Sequence, residues 1–352
     1  MKTIKYFLIS ILGILFFSGT SAFAEQTDNP SAAGFSVMKL DPEVPQVDPA
    51  SSFYDLLVKP GDELMIQAQL TNSSEQDSAF STQAFTASTN NNGEISYTKE
   101  PAKKELDQSL TIPFSSIAEV VEQNPLLIPA GAKKTVSLKI HVPENAEEGV
   151  ILGSWYFDKA ADDENKKAKT GVNIENRFAY ALAVKLTVAK EVSDPHLNLL
   201  TIKPDLNNYH KVINAKIQND RRAVTTNLSF QGEVTKKGSK KVLYRSDSAD
   251  KIMAPNSHFD FSIFLKEGQL KAGDYTLHLN AKTKDPKWQE KNWKWDQDFT
   301  VKAADAEKLN ENSLNDPKPK PNYLLYLLLG IFCILLVILL VLLIKKPRKK
   351  NN

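Results

Sequence analysis

Along most of the chain, apolar and polar residues alternate with a period of two, the pattern of strands that bury one face. Leu64, Ile66, Ala68 and Leu70 alternate with Glu63, Gln67 and Gln69 after the turn signal Pro60-Gly61-Asp62. Val136, Leu138, Ile140 and Val142 alternate with Ser137, Lys139 and His141 and stop at Pro143. Gly149 to Phe157 is apolar on both faces and predicts a central strand. Phe178, Tyr180, Leu182, Val184, Leu186 and Val188 then share one face, with Ala179, Ala181 and Ala183 on the other. Asn90-Asn91-Asn92-Gly93 is a turn, because Asn and Gly tolerate positive φ. The mixed-charge stretch Ala161 to Gly171 predicts a solvated hairpin loop. These strands predict a β-sandwich over residues 34–190.

A second series follows the break at Glu191 to Pro195. Its strands run through Ile213, Ala215 and Ile217; Leu228, Phe230 and Val234; Val242 and Tyr244; Phe259, Phe261 and Ile263; and Tyr275, Leu277 and Leu279. The last strand puts Trp293, Trp295, Phe299 and Val301 on one side. No segment reads as a helix, so residues 191–302 predict a second sandwich of immunoglobulin type. The fold expected is all-β: two tandem immunoglobulin-like β-sandwich domains.

The ends break the alternation. Leu324 to Ile344 holds no charged residue, and an apolar helix of about twenty residues crosses a bilayer core of roughly 30 Å. Lys345, Lys346, Arg348, Lys349 and Lys350 follow it, which places residues 345–352 on the cytoplasmic side and the N-terminal part outside. Lys2 and Lys5 precede an apolar run ending near Ala22-Phe23-Ala24, so residues 1–24 read as a secretory signal peptide cleaved after Ala24. An uncleaved first span is the alternative, and the run is short for it. Residues 303–321 are polar and Pro-rich and predict an extended stalk reaching roughly 60 Å. The expected location is a cell membrane crossed once, with the ectodomain outside.

Charge then changes the picture. The net charge is +2, but the leader and tail are purely basic, which leaves the exterior part mildly acidic and argues against nucleic acid as a partner. The single cysteine, Cys333, lies inside the predicted span, so no disulfide framework, thiol catalysis or thiolate metal site is available. His141, His196, His210, His258 and His278 lack metal-site spacing and read as surface residues. No nucleophile elbow, zincin motif, phosphate loop or EF-hand appears. Asp162, Asp163 and Glu164 sit among lysines as a solvated loop. The expectation is no catalytic residue, no metal and no cofactor. Asn72-Ser73-Ser74 and Asn227-Leu228-Ser229 match the glycosylation sequon, which is too short to carry weight. Of the tryptophans, Trp293 and Trp295 read as core, whereas Trp288, after Pro286, reads as an exposed aromatic available for binding.

Several motifs in order resemble a known family. Phe53-Tyr54-Asp55-Leu56 with Val58-Lys59-Pro60-Gly61, the Thr89 to Gly93 turn, Ile112-Pro113-Phe114-Ser115, Gly149 to Gly153 and Asn176 to Tyr180 resemble the first domain of WxL-interacting proteins, surface proteins of low-GC Gram-positive bacteria. Val234 to Ser239, Met253 to Ser257 and Leu270 to Tyr275 are similar to their second domain. The resemblance implies a peptidoglycan-binding first domain and a host-binding second domain in a protein that holds WxL-domain proteins at the surface. It carries over no binding residue. The function expected is a non-enzymatic membrane-anchored scaffold for WxL-domain proteins and peptidoglycan near the wall; the alternative is an adhesin for host extracellular-matrix proteins through the second domain. A wall hydrolase would require carboxylates paired in a cleft.

Overall fold

The structure, a computed structural model, describes residues 33–160, 178–191, 194–265, 268–314, 328–332 and 334–338. The expected signal peptide with Ala24, the expected loop Ala161 to Gly171, Cys333 and the basic residues 345–352 lie outside the described residues.

The alternating segments become strands with one buried face. In the first domain, β1 (Phe35–Lys39), β3 (Glu63–Asn72), β7 (Ala118–Val120) and β9 (Lys133–His141) form a sheet in the order β1-β3-β9-β7. β2 (Tyr54–Val58), β4 (Ser78–Thr86), β8 (Leu126–Ile128), β10 (Gly149–Lys159) and β11 (Ala179–Val188) form a second, in the order β2-β11-β10-β4-β8. β10 is apolar on both faces because Ile151, Trp155 and Phe157 enter the cluster between the sheets while Val150 and Leu152 enter a second buried cluster. A separate hairpin, β5 (Ser88–Thr89) with β6 (Ile95–Ser96), carries the Asn90 to Gly93 turn. One hydrophobic cluster, including Phe35, Leu138, Trp155, Phe157 and Leu186, fills the space between the two sheets.

Two of the motifs used above pack on each other. Phe114 is fully buried against Gly153 on β10, and a β-carbon at Gly153 would lie 2.1 Å from the Phe114 ring. A glycine in the middle of a strand normally weakens it. Here it opens the space that the ring fills.

The second domain has two sheets, β12 (Leu197–Asn207), β13 (His210–Asn219) and β16 (Ser257–Phe264) in the order β12-β13-β16, and β14 (Thr225–Lys236), β15 (Val242–Met253), β17 (Gly273–Thr283) and β18 (Lys291–Val301) in the order β15-β14-β17-β18. Leu228, Phe230, Phe259, Leu277 and Ile263 lie in its core, and Trp293, Trp295 and Phe299 pack partly buried against it.

The segment after Val301 differs from expectation. Ala303–Asn312 is a helix, α1, rather than the start of an extended stalk. Ala306 and Leu309, three residues apart, fall on one helix face and enter the core of the second domain. Asn310 holds the helix in place: its amide donates to the Leu270 carbonyl at 2.9 Å, and its Oδ1 accepts from the Leu270 N–H at 2.8 Å and from Lys211 at 3.1 Å. Polar composition had hidden two apolar anchors at helical spacing. Among the described residues no helix is long and apolar enough to cross a membrane. The expected span from Leu324 to Ile344 is described only at 328–332 and 334–338, which are helical.

Candidate functional site

The two domains meet through a built surface, and its residues come from the least regular part of the first domain. The β5–β6 hairpin reaches across. Its Thr89 hydroxyl accepts from the Ala254 N–H at 3.0 Å and shares a hydrogen bond with the Ser257 hydroxyl at 2.5 Å. At its tip the Gly93 carbonyl accepts from the Ile252 N–H at 2.9 Å, and Asn91 Oδ1 accepts from the Asp260 N–H at 3.1 Å. Gly93 has φ of +70° and lies so close to Lys251 that a side chain there would strike it. Nearby the Val150 N–H donates to the Arg222 carbonyl at 2.6 Å, and the Arg222 guanidinium reaches Glu147 at 2.5 Å. Under these polar contacts Ala87, Val150 and Leu152 of the first domain meet Ala254 of the second in a small buried cluster, with Ile95, Tyr97 and Val224 around it. Burial pushes the Tyr97 hydroxyl up to about 12.

Asp107 is the polar centre of the junction. Its side chain is buried and accepts from Ser109 N–H at 2.8 Å, Ser109 Oγ at 2.6 Å and, across the junction, Gln218 Nε2 at 2.7 Å. His258 Nδ1 lies 2.8 Å from its second oxygen. Burial acts to raise the Asp107 carboxyl, but the hydrogen bonds from His258, Ser109 and Gln218 outweigh it and hold the group well below the usual carboxylate range. A second polar clamp lies at the connection between the domains. Lys185 Nζ is 2.5 Å from Glu191 and 3.3 Å from Asp55, and Lys287 of the second domain approaches Glu191 at 3.6 Å. Such a junction, with an apolar cluster at its centre and hydrogen bonds crossing around it, fixes one arrangement of the two bodies.

Beside the junction lies a cleft of about 460 Å³, lined from both domains by residues including Asn91, Lys99, Glu105, Asp107, Lys216 and Asp260. Each of its carboxylates has a neighbour other than a second acid: Asp107 as above, Glu105 accepting from the Ala102 N–H at 3.1 Å, Asp260 at 3.8 Å from Lys216. The lining suits polar recognition: its acids meet His258, Lys216 or backbone and side-chain donors rather than one another. Among the described residues no group of three or more His, Cys, Asp or Glu could hold a metal ion.

The structure redistributes the residues singled out in the sequence. Trp288 is half-buried rather than open, with the Lys287 ammonium 4.6 Å from its ring centroid. His258 is no surface residue; it faces Asp107 across the junction. His196 sits 3.0 Å from Asp220, and His278 pairs with Asp296. Asn72 is fully buried, its amide donating to the carbonyls of Gln76, Ile128 and Pro129, so that sequon is sterically closed. Asp107 went unnoticed in the sequence. Its only local trace is Asp107-Gln108-Ser109, where the carboxylate accepts from the backbone two residues on.

Fold and junction together define a two-domain all-β protein whose domains are packed in one arrangement. The chain belongs to the WxL Interacting Protein family: residues 35–159 match the model of its peptidoglycan binding domain, and residues 169–311 match the model of its host binding domain. No curated protein matches the sequence. Among solved structures, the class 5 fimbriae chaperone CfaA is similar over 74% of this chain and 99% of its own at 12% identity and a TM-score of 0.30. The E. coli chaperone DraB is similar over 76% of this chain and 96% of its own at 12% identity and a TM-score of 0.26. The PapD-like domain 7 of human CEP192 covers 49% of this chain and 97% of its own at 9% identity and a TM-score of 0.27. Similarity this low carries no argument about partners.

Proposed function

We propose that the protein is a non-enzymatic, membrane-anchored surface scaffold that holds WxL-domain proteins and peptidoglycan near the wall through two immunoglobulin-like sandwiches. The observation that carries this reading is the junction. The peptidoglycan-binding and host-binding domains of the family are locked together by Asp107, Thr89 and Arg222, so partners on the two domains keep a fixed relation. The uncharged run from Leu324 to Ile344 supports the anchor. Where that run is described it is helical, and large apolar side chains such as Leu329, Phe332 and Val337 are exposed on it.

The order of parts follows from strand direction. β13 starts at His210 and ends at Asn219, and β14 leaves that same end at Thr225. The junction therefore lies at one end of the second domain, and α1, which leads toward the anchor, at the other. At about 3.3 Å per residue, strands of ten to twelve residues hold the first domain ~35 Å farther from the membrane than the base of the second. Only nine residues lie between Leu314 and Leu324, a reach of at most about 36 Å, because the chain up to Asn312 is taken up in α1. This geometry favours wall and WxL contacts over direct host contact.

The test is association of the full chain with a purified WxL domain and, separately, with peptidoglycan sacculi. Micromolar binding of both supports the scaffold. Absence of WxL binding at that concentration removes it. The adhesin reading is favoured by the match of residues 169–311 to a host binding domain, and it gains if Trp288→Ala abolishes binding to collagen or fibronectin while WxL binding persists.

A further inference from the structure

At the end of the second domain away from the junction, the β14–β15 turn reads Lys236-Lys237-Gly238-Ser239-Lys240-Lys241, four cations without an acid among them. Lys237 is 2.9 Å from Asp298. Lys236, Lys240 and Lys241 are exposed and have no ion-pair partner among the described residues. Val242, the first residue after the turn, is 42% exposed. The lysines are thus grouped with an outward apolar side chain at one corner of the tip. Among the described residues, Asp205 is on β12, and Asp305, Glu307 and Glu311 are on α1, which packs toward β12 at the opposite edge of the sandwich. Asp298 is engaged by Lys237 and Thr276, and Asp274 accepts from Thr300.

We propose that this corner rests on the membrane surface, with the lysines on anionic phospholipid headgroups and Val242 at the polar–apolar boundary. The inference rests on the membrane-anchored reading above. Two observations select lipid as the occupant. The chain leaves the second domain at this same end, where the Leu314 N–H is fixed to the Tyr209 carbonyl at 3.0 Å, and at most about 36 Å of backbone joins it to Leu324. The tip cannot stray far from a bilayer. The lysines then give the contact its sign, since cations near an anionic leaflet are drawn to its headgroups. One basic corner and an acidic helix at the other edge tilt the domain, so the contact sets orientation as well as height.

The test uses the full chain with Ser239→Cys and Cys333→Ser, labelled with a nitrobenzoxadiazole fluorophore and reconstituted in vesicles carrying nitroxide headgroup lipid. A probe at Glu75→Cys, in the first domain, serves as the distant control. With phosphatidylglycerol vesicles the emission at 239 is expected to fall at least twofold and that at 75 to stay unchanged. Lys240→Glu with Lys241→Glu, or phosphatidylcholine alone, should remove most of the quenching. No quenching in chains that co-float with the vesicles overturns the contact and leaves the anchor standing, and equal quenching in both lipids overturns its ionic basis. Failure to co-float removes the anchor, and the proposal with it.

Discussion

The two ends of the second domain are built from the same strands and treated in opposite ways. At the junction end the turn Met253 to Ser257 is buried, as are Asn219 and Ala223 beside it, and the Ala254 N–H, the Ser257 hydroxyl and the Arg222 carbonyl are bonded across to the first domain. At the tip the turn Lys236 to Lys241 is exposed and charged, and the core is closed by a helix of the chain's own making. Turns that carry backbone specificity face a permanent partner, whereas turns that carry side-chain charge face outward. The junction end is committed to one structure and the tip is left for contact.

The largest expected effect of a single change lies at the committed end. Asn219 is fully buried; its amide donates to the carbonyls of Ala223 and Ala254, both at 2.9 Å, and its Oδ1 accepts from the Arg221 N–H. Asn219→Ala orphans these groups and should cost about 3 kcal/mol in denaturant unfolding. Next comes Asp107→Ala, at about 2 kcal/mol, because Gln218 and His258 lose their acceptor. A double-mutant cycle with His258→Ala should show a non-additive coupling. The same carboxylate makes the junction pH-dependent. Because its folded pKa is lowered, its contribution is fully present above about pH 4, where a free aspartate ionises, and is lost as pH falls through the lowered folded value. Unfolding midpoints of wild type and Asp107→Asn should therefore converge in acid. The smallest effect belongs to the tip. Asn310→Ala should cost about 1 kcal/mol, read as faster amide exchange confined to α1 with the junction unchanged.

This contrast also explains what was legible in the sequence. Strands with strict alternation, such as Glu63–Asn72, Phe259 to Ile263 and Gly273–Thr283, follow from period two alone, because each buries one face of its own domain. Short strands such as Leu126–Ile128 and the irregular run through Asp107 carry no period, since their partners are distant in sequence. His258 alternates like any outward residue of β16; only the arrival of Asp107 from 151 positions away makes it interior. Helix α1 was hidden because two apolar residues sufficed once the domain supplied the rest of the core. The motifs that mark the family were readable, and two of them, around Phe114 and Gly153, prove to be a ring and the space made for it.

The most direct test of the fixed scaffold is the distance distribution between spin labels at Glu75→Cys and Lys240→Cys in the Cys333→Ser chain, one label on each domain at the ends farthest from the junction. A single narrow distribution that does not move when sacculi or a WxL domain is added is expected. A broad distribution, or two populations exchanged by a partner, would contradict it.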